Sequence, residues 1–282
     1  MENDEINSSG RFGGTVMDLA TVIGIILGII AVFVGMVLKG AQLSILINPA
    51  AFLIIIVGTI SSVVIGFPGR ELKRIPKLLK VIFTEQKMVS DVEIIKMFSR
   101  WADLARREGL LALESEAQEI EDPFLRNGLT LAIDGQSADY IRDVLNEEVE
   151  AMEERHESGA QIFSQAGTYA PTLGVLGAVV GLIAALGDMS DVDALGHAVS
   201  SAFVATLLGI FTGYVLWHPF ANKLRRKSAH EARQKRLMIE GVLSVLEGEA
   251  PRIIEQKLAS YLTNEERKLF YESGADGLDK EK

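Results

Sequence analysis

Few residues in this sequence are of a type and in a place to do chemistry. The four histidines, His156, His197, His218 and His230, stand apart without ligand-like spacing, and there is no cysteine. There is no GxxxxGK[ST] run, no HExxH and no nucleophile beside a base, so the chain carries no recognisable phosphate cradle, metal site or acyl-transfer centre. It reads as a protein that is not an enzyme and has neither cofactor nor metal. His197 and His218 flank an apolar run, where a histidine usually marks the polar end of a span. What remains are hydroxyls set among apolar residues, Thr168, Thr172 and Thr206, and a proline, Pro171, inside an apolar stretch. Threonine in such a setting most often bonds its own helix backbone, though it can also face water or an ion. Proline removes a helix hydrogen bond and crowds the preceding turn, and membranes tolerate it where neighbours re-satisfy the backbone, often at kinks.

The elements that must position these residues are four uncharged apolar runs. They cover 19–38, 50–67, 165–186 and 198–217, each long enough to cross a hydrocarbon layer of about 30 Å as a helix of about 20 residues. Pro49 suits the first turn of the second run, Pro68-Gly69 ends it, and Pro219 reads as closing the fourth. None of the four contains Asp, Glu, Lys or Arg. Ion-translocating proteins generally need a titratable or coordinating group inside the membrane. Either a second chain supplies that carboxylate, or this one does not conduct. The third run is dense in small residues (Gly167, Ala170, Gly174, Gly177, Ala178, Gly181), and the fourth repeats the pattern with Ala202, Ala205, Gly209 and Gly213. Such stripes let helices approach closely. They serve either packing among the chain's own spans or a wall around partner helices.

Lys and Arg set the orientation. Arg70, Lys73, Arg74, Lys77 and Lys80 follow the second run, and Lys223, Arg225, Arg226 and Lys227 follow the fourth; the loop after the third holds Asp188, Asp191 and Asp193 and no cation. Both termini and the long middle segment are therefore expected in the cytoplasm, on a cell membrane that the chain crosses four times. The expected organisation is a disordered acidic extension over 1–17, spans one and two within 18–67, a helical cytoplasmic domain over 68–164, spans three and four within 165–218, and a helical cytoplasmic tail over 219–282. Within the middle domain, Leu72, Ile75, Leu78, Leu79 and Ile82 share one face of a basic helix. That pattern suits either an anionic membrane surface or a partner in the cytoplasmic domain. Helical periodicity then runs over Asp91–Glu119, breaks near Asp122-Pro123 and resumes to Glu157; after Pro251 a short helix reaches roughly Tyr261, and GADGLDKEK reads as a frayed tail. No β-hairpin signal or internal repeat is present, so the fold class is all-α. A net charge of −10 excludes a nucleic-acid partner.

Three blocks, WADLARREGLLALE (101–114), AGTYAPTLGVLGAVVGLIAAL (166–186) and AFVATLLGIFTGYVLWHPFANKL (202–224), resemble the MotA/PomA family, the four-span subunit of bacterial flagellar stators. The likeness runs from Met17 to about Leu262 and is nearest to the Gram-positive, proton-driven members. It implies a partner, MotB, whose single span brings an aspartate and whose outer domain grips peptidoglycan, with five MotA-like chains around two such spans. It also implies that Arg106 and Glu114 contact the rotor protein FliG, and that Pro171 and Pro219 couple ion passage to movement. Thr206 would face the partner's aspartate, with Thr172, Gly174 and Ala178 along the ion path. Sodium-driven relatives commonly carry threonine where this chain has Ala178, so the resemblance implies protons. The rival readings are an ExbB/TolQ-type energiser, which usually has three spans, and a non-conducting membrane scaffold.

Overall fold

A computed structural model describes residues 17–41, 43–85, 89–187 and 192–278, with the backbone alone at 192, 194 and 273–278. The extension over 1–16 and the loop residues Asp188 and Asp191 lie outside them. The described residues are helical, apart from turns and one isolated bridge between Met17 and Thr84. They divide into two compact units, one drawn from the described residues of 17–85 and 161–221 and the other from those of 89–160 and 222–278.

The first unit holds the spans. Helix α1 (Leu19–Leu38) starts at Asp18, whose carboxylate accepts the Thr21 amide at 3.2 Å. None of α1 is buried, although it is apolar all round; a helix of that kind is at home in lipid. Helix α2 (Pro49–Gly66) is capped by Asn48, which accepts the Ala51 amide at 3.1 Å and donates to the Ser201 hydroxyl. Its middle, Leu53–Val57, is a widened π-turn. The basic helix α3 (Ile75–Phe83) belongs to this unit. Leu72, Ile75 and Leu78 pack on Val63, Ile162 and Ala166, while Lys73, Arg74, Lys77 and Lys80 stay exposed. Periodicity marked the face and not its occupant, which is the protein's own membrane helices.

The second unit is an ordinary soluble core. Helix α4 (Asp91–Glu108) opens on a capping box between Ser90 and Glu93. It stops at Gly109, whose φ of +89° an L side chain rarely adopts. A tight turn, Leu110–Leu113, then leads into α5 (Glu114–Glu119). The uninterrupted run expected over Asp91–Glu119 is therefore two helices hinged at Gly109. Asp122 caps α6 (Pro123–Ile133) by accepting the Phe124 and Leu125 amides. A further break follows at Gly135, φ +75°, and α7 (Ala138–Leu186) then runs through residues of both units. The core joins Ile94, Ile95, Phe98 and Trp101 of α4 to Phe124, Leu125 and Leu129 of α6 and Ile141, Leu145 and Val149 of α7.

Helix α8 (Val192–Phe211) passes through a second π-turn, Thr212–Trp217, directly into α9 (His218–Leu246). Pro219 does not end the helix of the fourth span as expected. In the π-turn the His218 amide bonds the Gly213 carbonyl five residues back, and this loosened geometry lets the helix carry the proline that follows. Leu237, Val242 and Leu243, in the C-terminal part of α9, complete the second core with α10 (Pro251–Leu258) and α11 (Asn264–Leu278). Helix α11 begins at Thr263, whose amide and hydroxyl hydrogen-bond Glu266 and hold its carboxyl below the usual range. The tail expected to fray from 274 is helical to Leu278.

Candidate functional site

Helices α7 and α8 meet along a seam of glycines. A Cβ on Gly174 would stand 2.8 Å from the Ala205 carbonyl oxygen and 3.0 Å from the Gly209 Cα. One on Gly209 would stand 2.7 Å from the Ala170 carbonyl oxygen, and one on Gly213 2.8 Å from that of Gly167. Each glycine thus lies over a backbone carbonyl of the opposing helix, an approach no side chain permits and one that Cα–H···O contacts favour. Pro171 contributes to this seam. Lacking an N–H, it cannot bond the carbonyl four residues back, which is that of Gly167, the same oxygen that stands against Gly213. The Pro171 ring closes over the same glycine, 2.8 Å from where its Cβ would be. Spacing made the stripe visible but left its occupant open; the structure fills this part of it with the chain's own fourth span.

The sequence-derived path residues fall on different sides of that seam. Gly174 is buried inside it, Ala178 one turn on is half-buried, and Thr172 is exposed. The Thr172 hydroxyl donates to the Tyr169 carbonyl at 2.8 Å, and the half-buried Thr206 donates to Ala202 at 3.1 Å. Both hydroxyls spend their proton on their own helix and present lone pairs outward. In that state each can accept from water, a cation or a protonated carboxyl, and must rotate before it can donate to a carboxylate. Next to Thr172, α7 exposes Val175, Leu176, Val179, Val180, Ile183 and Leu186. Pro219 is exposed at the start of α9, after the π-turn. A polar link that periodicity could not show, from Asn48 to Ser201, ties α2 to α8.

In the second unit, Arg106 and Glu114 stand on either side of the Gly109 bend, one ending α4 and the other opening α5. Both are exposed, and among the described residues neither has an ion-pair or hydrogen-bond partner. Their neighbours are engaged internally: Arg107 pairs with Asp103 at 2.6 Å, and Glu116 accepts from the buried Trp101 indole at 2.9 Å and from Arg100 at 3.3 Å. The segment is braced from within, while these two opposite charges remain open to another molecule. Among the described residues no three His, Asp or Glu converge on a metal site.

Two family descriptions match the chain: the Motility protein A N-terminal family over residues 22–109, and the MotA/TolQ/ExbB proton channel family over residues 116–237. Motility protein A of Bacillus subtilis is 65% identical over 258 residues, 92% of this chain and 96% of that protein. The flagellar MotAB stator complex of Bacillus subtilis superposes with a TM-score of 0.85 at 65% identity, covering 90% of this chain and 99% of its counterpart. The MotAB structure from C. jejuni superposes with a TM-score of 0.83 at 33% identity, over 88% and 97%.

Proposed function

Because the chain belongs to the motility protein A family, within the MotA/TolQ/ExbB proton channels, we propose that it is the multi-span subunit of a flagellar-motor stator. With a MotB-type partner it forms a proton-conducting complex that turns ion flow into torque. The observation that carries the reading is the likeness to motility protein A, 65% identical over 92% of this chain, and to the MotAB stator structure at a TM-score of 0.85. Its four apolar runs contain no Asp, Glu, Lys or Arg to hold a proton at membrane depth, so on this reading the titrating carboxylate comes from the partner.

The residues then divide the work. Protons reaching the partner's aspartate remove a charge that is costly in lipid, which changes how its helix fits the surrounding chains. Thr206 and Thr172, with lone pairs outward, accept from the protonated carboxyl or from water, and Ala178 leaves the path without a further oxygen. Gly174 lets α7 and α8 share one rigid wall. Pro171 and the π-turn before Pro219 are the points where that wall bends without breaking a full ladder of bonds. Five copies around two partner spans give the ring in a bacterial inner membrane, and the basic clusters at 70–80 and 223–227 support an orientation with both termini cytoplasmic. Arg106 and Glu114 push on the rotor protein FliG. An ExbB/TolQ role is disfavoured by the fourth span and by the separate match over residues 22–109.

The test is charge reversal. In cells lacking their own stators, Arg106→Glu together with Glu114→Lys should abolish swimming at unchanged membrane abundance. Reversing the facing charges on the rotor protein should restore it. Undiminished swimming by the double variant would remove these residues from the rotor contact.

A further inference from the structure

Leu111 is the most exposed large apolar side chain described in the second unit, at 72% of its free surface. It lies on the turn between α4 and α5, five residues after Arg106 and three before Glu114. A lone exposed leucine means little by itself. This one is held out by construction: Gly109 at φ +89° reverses the chain, Leu110 packs against the core, and Leu113 is fully buried. Beneath the turn, the Trp101 indole donates to Glu116 and fixes the start of α5. The leucine cannot withdraw into the core without undoing that turn. An apolar side chain presented on a braced turn, with an unpaired cation before it and an unpaired carboxylate after it in the chain, is composed like a binding hot spot, an apolar centre with a polar rim.

We propose that Leu111 is the apolar anchor of the rotor contact, and the idea rests on the stator reading given above. Its occupant is a protein surface offering an apolar pocket flanked by a carboxylate, to meet Arg106, and a cation, to meet Glu114. The charges steer the approach and set the register, and the leucine supplies the desolvated contact that transmits force. Because the turn is braced in advance, little order is lost each time the contact forms. A contact that must be made and released at every step gains from that arrangement.

The experiment uses the complete stator complex. Leu111→Ser, Leu111→Met and Arg106→Glu are each produced with the membrane partner, and binding of purified complex to purified rotor protein is measured. High-load rotation of tethered cells is measured in parallel, at matched membrane abundance. The anchor predicts that Leu111→Ser weakens binding by about tenfold or more and stalls high-load rotation, while Leu111→Met stays near the parent. Leu111→Ser equal to the parent while Arg106→Glu fails would overturn the anchor and leave the charge contact standing. Equal loss in the serine and methionine variants would also overturn it, since the turn's exact side-chain shape, not apolar burial, would then be at work. Full function in all three variants would take down the rotor-contact reading itself.

Discussion

At the scale of single residues, the seam between α7 and α8 separates glycines that must be glycine from those that need not be. Gly209 has the Ala170 carbonyl oxygen 2.7 Å and the Gly174 Cα 2.9 Å from where a Cβ would sit, and both are backbone atoms that move only if the helices part. Gly35, in α1, has nothing within 4 Å. Alanine in a helix gains up to about 1 kcal/mol over glycine, but overpacking a closed contact costs roughly 1–3 kcal/mol. Gly209→Ala is therefore expected to lower the melting temperature of the detergent-solubilised complex by several degrees, while Gly35→Ala leaves it equal or higher. Equal melting of the two variants would mean that the seam gives way at no cost. The stripe of small residues was legible in the sequence because its spacing is helical. Its partner was not, since the same stripe serves a neighbour in the chain and a neighbour in another chain equally well. Arg106 and Glu114 were similarly beyond composition and periodicity. Only the resemblance singled them out, because whether a surface charge is already paired depends on residues such as Asp103 and Glu116 after folding.

At the scale of elements, the apolar runs announced the four spans, and the soluble helices announced their faces. Breaks inside helices were harder to read. Gly109 and Gly135 sit in stretches of unbroken periodicity, and a glycine does not declare in advance whether it will take a positive φ. Pro219 misled in the opposite direction. Its usual meaning is a stop, yet the π-turn over Thr212–Trp217 lets α8 run on into α9. That turn stores a consequence. An alanine at 219 would regain the missing N–H and relieve the clash with the preceding carbonyl, an improvement of up to about 3 kcal/mol for a helix interior. The π-turn would then tend to close into ordinary α-helix, shifting Gly213 and Gly209 around the axis by about one residue, roughly 100°, relative to Phe220. Pro219→Ala is expected to yield a complex that melts higher but drives swimming poorly, the exchange of activity for stability common at strained functional positions. A variant with raised melting temperature and full speed would show that the widened turn is structural only.

At the scale of the whole molecule, the chain is built to be incomplete. Helix α1 buries nothing of its own apolar surface, and α7 exposes a row of aliphatic side chains beside Thr172. The spans hold no group that titrates as a carboxylate or an amine. Lipid covers apolar surface well enough, but it cannot supply the missing charge, so the stator reading expects conduction from the complex and none from this chain by itself. Reconstituted alone in liposomes, the chain should carry no current above the lipid background; with its single-span partner it should carry protons. On the same reading, the choice of ion would follow from what this chain adds to a carboxylate on the partner. Sodium must exchange its hydration shell for several oxygens, whereas a proton needs only the carboxylate and a chain of waters. Here Ala178 offers none, and Thr172 and Thr206 offer one lone-pair-bearing hydroxyl each. In cells whose only stator contains this chain, swimming speed should hold constant as external sodium is varied at fixed membrane potential, and fall to zero when an uncoupler collapses the proton gradient. Speed that rose with sodium and survived the uncoupler would mean that oxygens of the partner complete a sodium shell. Ala178 would then have no part in selecting the ion.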